Sequence, residues 1–143
     1  MNWVNLFFND FILCLVAFTI HELGHVWMAK RRGIFLRVTA WKIFGFLPIG
    51  AFTWIDRNKA TVQDQIDVAT AGVWVGLPFT FLMIRPFTFL TAYMFASFFD
   101  ILSITLLTIC LFLGLPKNMT LAEVGEKYTL SIGWRGIKLK KMR

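Results

Sequence analysis

Both histidines of this 143-residue chain fall within five consecutive residues, His21-Glu22-Leu23-Gly24-His25. On a helix, a spacing of four puts the two imidazoles on one face, with Cβ atoms about 5–6 Å apart, near enough to share a single metal ion. Glu22 projects beside them. In an H-E-x-x-H pattern the metal acidifies a bound water and the glutamate, which is not a ligand, takes its proton, so the chemistry indicated is metal-assisted hydrolysis. The same pattern arises by chance on solvated faces of soluble helices, where it does nothing. Here it lies between Ile20 and Val26 in an apolar run, and ionisable groups at hydrocarbon depth mark function by default.

The elements that must position these residues are set by a composition too apolar for an ordinary soluble domain. It is 57% hydrophobic and 17% aromatic, with a mean hydropathy of +0.65. Three stretches have the length and character to span a bilayer: residues 8–29, 68–84 and 87–113. The expected fold is therefore an α-helical integral membrane protein with three transmembrane helices in a single domain over residues 1–143. The first stretch is not a secretory signal peptide, because no positive segment precedes it and Asp10 interrupts it. Cys14 and Cys110 both fall within spans, where they are expected to pack rather than to form a disulfide or bind metal.

The net charge of +7 is unevenly placed: of fifteen Lys and Arg, seven fall between Lys30 and Lys59 and seven between Lys117 and Arg143. The positive-inside rule then puts both basic segments in the cytoplasm and the N-terminus outside. The run Lys138, Lys140, Lys141, Arg143 closes a basic tail, residues 114–143, expected to anchor on anionic headgroups of the lipid bilayer. Nucleic-acid binding would need more basic surface than a short tail, and is excluded as a function class.

After Lys30-Arg31-Arg32, Gly33 is placed to end the first helix in a left-handed cap. The β-branched and aromatic residues 34–44, the Gly/Pro-containing turn 45–50 and residues 51–55 read as a short β-hairpin at the cytoplasmic interface, where Trp41 and Trp54 suit the boundary. Thr61-Val62-Gln63-Asp64 is a capping-box variant that starts the next helix at Val62, with Asp64 and Asp67 near its positive end as dipole partners rather than ligands. Within that helix, Gly72-x-x-x-Gly76 lets another backbone approach closely in lipid, and Gly24 offers a matching small surface beside the histidines.

The third span holds one ionisable residue, Asp100. A hydrolytic zinc site wants three protein ligands and an open position, and His21, His25 and Asp100 supply that count. The other reading is a protonated Asp100 hydrogen-bonded to Ser97, Ser103 or a nearby carbonyl. Counted along straight helices, His21 and His25 lie about 13 and 8 Å above the cytoplasmic helix end, whereas Asp100 lies about 20 Å above Leu113. Level helix ends would thus hold the aspartate apart from the histidines.

An H-E-x-x-H in the first span, Ala71-Gly72-Val73-Trp74-Val75-Gly76 in the second and an aspartate in the third resemble, in that order, the site-2 protease family of intramembrane zinc metalloproteases. The resemblance covers most of residues 15–105. It departs at the third motif: the family's Asn and Pro before the ligand aspartate and Gly after it are here Ala92, Phe95 and Ile101. It implies the three-helix catalytic core alone, with no PDZ or CBS-like regulatory domain, and a membrane-associated β element matching residues 34–55. The function implied is a Zn2+ endopeptidase that cuts a transmembrane protein substrate in or near the bilayer. Its metal ligands are His21, His25 and Asp100, with Glu22 as general base. Two rival readings are a noncatalytic relative that binds substrate helices, and a membrane metal-binding or transport protein that keeps the histidines and tolerates loss of Glu22.

Overall fold

The computed structural model describes residues 3–43, 47–80, 86–133 and 136–142. The long first helix, α1 (Trp3–Arg31), ends as its sequence requires. Gly33 adopts φ 69°, and the Gly33 and Ile34 N–H groups bond back to the Lys30 and Ala29 carbonyls at 3.0 Å each.

The chain then forms an antiparallel hairpin of β1 (Phe35–Ile43) and β2 (Leu47–Ile55), in which Val38 pairs with Thr53 and Ala40 with Ala51. The second strand is longer than the sequence suggests, and the first slightly shorter. Pro48 and Gly50 belong to β2 rather than to a turn, and residues 45–46 of the expected turn lie outside the described residues. Register shifts fall at Phe35/Arg37 and Trp41/Lys42, and the second lies opposite Pro48, which lacks an N–H for the ladder.

Helix α2 (Val62–Val75) begins at the predicted cap, where the Thr61 hydroxyl accepts the Asp64 N–H at 3.1 Å and the Asp64 carboxylate accepts the Thr61 N–H at 3.0 Å. Asp67 pairs with Arg32 and accepts from Gln63, so both acids serve the helix start and its neighbours. The helix stops at Gly76, two residues before Pro78. A single turn, α3 (Leu77–Thr80), follows. The second expected span is thus a 14-residue helix that breaks, and residues 81–84 of it lie outside the described residues.

Helix α4 (Pro86–Phe112) is the second of two described helices that are long and apolar enough to cross a membrane, the first being residues Asn9–Arg31 of α1. Its Phe98 side chain is more than half exposed, as a lipid-facing ring would be. Ala17 of α1 packs with Phe89, Ala92 and Tyr93 of α4 to form the upper core.

Beyond Phe112 the expected basic tail is folded. Residues 117–122 run beside 57–63 through a Thr61–Thr120 bridge and bonds such as Val62 N–H to the Met119 carbonyl at 3.0 Å. A second capping box, Thr120 with Glu123, starts the short helix α5 (Leu121–Lys127). The Thr120 N–H and the Lys127 ammonium hold the Glu123 carboxyl below the usual carboxylate range. An antiparallel hairpin of β3 (Tyr128–Gly133) and β4 (Gly136–Lys141) follows. Leu130 and Leu139 of this hairpin pack toward Val62, Cys110 and Leu115 in a lower core, while Cys14 packs on the upper one, and both thiols are free.

Candidate metal and catalytic site

Helical spacing in α1 brings His21 and His25 together. Their Nε2 atoms are 3.1 Å apart, and the residues are only 3% and 7% exposed. Each ring is oriented from its far nitrogen. His25 Nδ1 lies 2.8 Å from the Val68 carbonyl of α2, which carries no proton, so Nδ1–H is the donor and Nε2 is the atom that a neutral His25 ring offers to a metal. His21 Nδ1 faces the buried Ser97 hydroxyl of α4 at 3.3 Å, and the Tyr93 ring packs edge-on against its imidazole with centroids 5.5 Å apart.

Asp100 joins them. Its Oδ2 lies 2.8 Å from His21 Nε2 and 3.0 Å from His25 Nε2. The depth mismatch expected from the sequence is removed by stagger. Ala17 is level with Phe89 and Tyr93, and His25 with Asp100, so α4 overhangs the end of α1 by about six residues, or about 9 Å. The overhang is held by the lower core, where Cys110 and Leu107 meet Val62 and Ile66 at the start of α2. Ser97, which in the alternative reading served a protonated Asp100, instead turns to His21.

Glu22, the other member of the motif, is half-buried, and its Oε2 accepts the Thr53 hydroxyl of β2 at 2.8 Å. The ligand atoms offered by His21, Glu22 and His25 all lie within 4.8 Å of one another. They open on a cavity of about 380 Å³ between β2 and α4, walled by Ala51, Ile55 and Phe99 and floored by the two histidines and Asp100.

The donor set fits a metal. Tetrahedral zinc with bonds of about 2.0–2.1 Å has ligand atoms about 3.3 Å apart, and the three separations here, 2.8, 3.0 and 3.1 Å, are close to that edge. Three lone-pair atoms crowded this closely repel one another unless a cation or proton sits among them, and the Val68 bond turns His25 Nε2 toward the other two.

The glycines act differently from the generic helix contact that their spacing suggests. A Cβ at Gly24 would lie 2.6 Å from the Ala71 carbonyl oxygen, which is close backbone approach. At Gly72, however, a Cβ would overlap the His25 ring, and at Gly76 it would overlap the Tyr93 ring. The Tyr93 hydroxyl accepts the Gly76 N–H at 2.7 Å and donates to the Gly72 carbonyl, which satisfies backbone groups freed where α2 ends.

Tyr93 has a sequence signal that the motifs do not use: seven residues before Asp100, it shares a helix face with Asp100 and with Ser97, whose partner is His21 rather than Asp100. Thr53 and the Val68 carbonyl had none, because both reach the site from other elements.

The chain matches the model of Peptidase family M50 over residues 10–131, a span that runs from the start of the first membrane-length helix into β3. No curated protein and no solved structure matches it. Because the family match covers most of the sequence, the chain belongs to peptidase family M50, the site-2 protease family, whose members are membrane-embedded, metal-dependent proteases.

Proposed function

We propose that this protein is an intramembrane zinc endopeptidase that cuts peptide bonds in or near transmembrane segments of substrate proteins, with His21, His25 and Asp100 as metal ligands and Glu22 as general base. The observation that carries this reading is the convergence of two Nε2 atoms and one carboxylate oxygen within 3.1 Å of each other, with the Glu22 carboxylate beside them over an apolar cavity. Zinc is preferred because two imidazoles and a carboxylate suit it, and when bound it supplies Lewis acidity to the scissile carbonyl and to water.

The protein's own groups carry the remaining work. The Val68 carbonyl and Ser97 fix the imidazole orientations, and mostly apolar side chains line the cavity. Glu22 takes the proton of the attacking water and returns it to the leaving nitrogen. A substrate must be extended to be cut, since helical carbonyls are already bonded, and β2 along the cavity offers a strand to pair with. The chain crosses the bilayer three times as one domain, with residues 32–61 and the C-terminal lobe in the cytoplasm and the N-terminus outside.

Glu22→Gln separates this reading from a noncatalytic or metal-binding relative, because the amide keeps the size and removes the base. The parent, purified in detergent, is expected to cut at least one peptide in a panel of single transmembrane segments, as read by mass spectrometry. Glu22→Gln should lose on the order of 10²–10⁴ in rate while still binding zinc, and His21→Ala should lose both. Parental cleavage by the Gln variant, or a parent that cuts nothing in the panel, would overturn the proposal.

A further inference from the structure

Along the described inner face of β2, the half-buried residues are Ala51, Thr53 and Ile55, whereas Phe52 and Trp54 point outward with about half of their surface exposed (47% and 50%). A strand packed on a helix calls for apolar residues on that face, and valine would serve at position 53 with the same shape. The threonine instead brings in a hydroxyl. Burying such a group costs stability unless it is bonded, and its partner is Glu22 Oε2 at 2.8 Å. The contact joins positions 31 residues apart across α1 and β2.

We propose that Thr53 is a positioning residue for the general base; the proposal rests on the reading of Glu22 given above. A glutamate side chain turns about three bonds, and a base that must abstract one proton and deliver it elsewhere works only within a narrow range of positions. The Thr53 hydroxyl holds one carboxylate oxygen and leaves Oε1 to receive the proton. Its single O–H makes it a donor that cannot itself compete as a base near neutral pH. Because Thr53 is paired with Val38 in the ladder, its height relative to α1 is set by the hairpin. The hairpin thereby aims the base as well as walling the cavity.

The test compares Thr53→Val, which keeps the β-branched shape and removes the hydroxyl, with Thr53→Ser, which keeps the hydroxyl and removes the methyl. Both are assayed beside Glu22→Gln on one transmembrane peptide that the parent cuts, with zinc content and circular dichroism as checks on folding. Thr53→Val is expected to lower kcat about 10–100-fold with KM within twofold of the parent, the scale of a small misplacement of a reacting group. Thr53→Ser should stay within about threefold of parental kcat. A doubly substituted Glu22→Gln/Thr53→Val protein should be no slower than Glu22→Gln alone, since the hydroxyl acts only through the carboxylate. Parental kcat in Thr53→Val, equal impairment in the Ser and Val variants, or a loss confined to KM would each overturn the proposal. If Thr53→Val fails to fold, the Ser variant decides: near-parental kcat supports the hydroxyl, and a loss of tenfold or more overturns it. Failure here with an inert Glu22→Gln leaves the protease reading standing, whereas an active Glu22→Gln removes that reading itself.

Discussion

Asp100 meets both imidazoles through the same oxygen, Oδ2, so its contribution to the site is one lone-pair atom at one point of a triangle. Asp100→Asn keeps the shape and loses the charge that balances a divalent ion. Its zinc affinity, measured by chelator competition in micelles, is expected to fall by at least about 10-fold, since even outer partners of metal ligands are worth about 10–100-fold. Unchanged affinity would remove Asp100 from the ligand set. The histidine pair and Glu22 were legible in the sequence because their relation is local, fixed by 3.6 residues per turn. The approach of Asp100 was not, because a count from helix ends assumes that the ends are level. The stagger that corrects it is set by packing of Cys110, Val62 and Leu115, which have no distinctive pattern in sequence.

At the scale of elements, signals that act within a few residues carried over well. The Gly33 cap, the Thr61–Asp64 box and the hairpin all stand where the sequence puts them, while the strand ends move by a few residues. The C-terminal hairpin was missed for a physical reason. Ile137-Lys138-Leu139-Lys140 alternates as a strand does, but its lysines dominate the composition and read as a solvated run. Lys138 and Lys140 are exposed and Leu139 is half-buried against the lower core, which is that alternation in space. Topology belongs to this scale, because it follows from which loops carry the cations. Reporters fused at residue 58 and after the C-terminus should both register in the cytoplasm, and one at the N-terminus outside. An external C-terminus would contradict the charge distribution.

Taken whole, the described residues pack in an upper cluster, a lower one, and a middle one in which Ala29, Ile34, Ala60 and Val68 join the end of α1 to α2 beside the hairpin. The upper one holds α1 against α4 and contains the site. The lower one folds residues 57–63, 115–133 and 136–141 around the start of α2. The upper region has little side-chain bulk to spare, because two rings occupy the space that side chains at Gly72 and Gly76 would need. An alanine at either position displaces a ring, yet the two lesions differ in how they can be repaired. At Gly76 the displaced ring is Tyr93, which packs and caps but has no place in the proposed chemistry, so a smaller residue at 93 makes room. At Gly72 the displaced ring is that of His25, which cannot shrink and still coordinate metal. Selection for regained proteolysis should therefore recover second-site suppressors of Gly76→Ala at position 93 and none of Gly72→Ala at position 25, and recovery at position 25 would mean that His25 is dispensable. One glycine motif thus contains a position whose substitution evolution can compensate and another whose substitution it cannot.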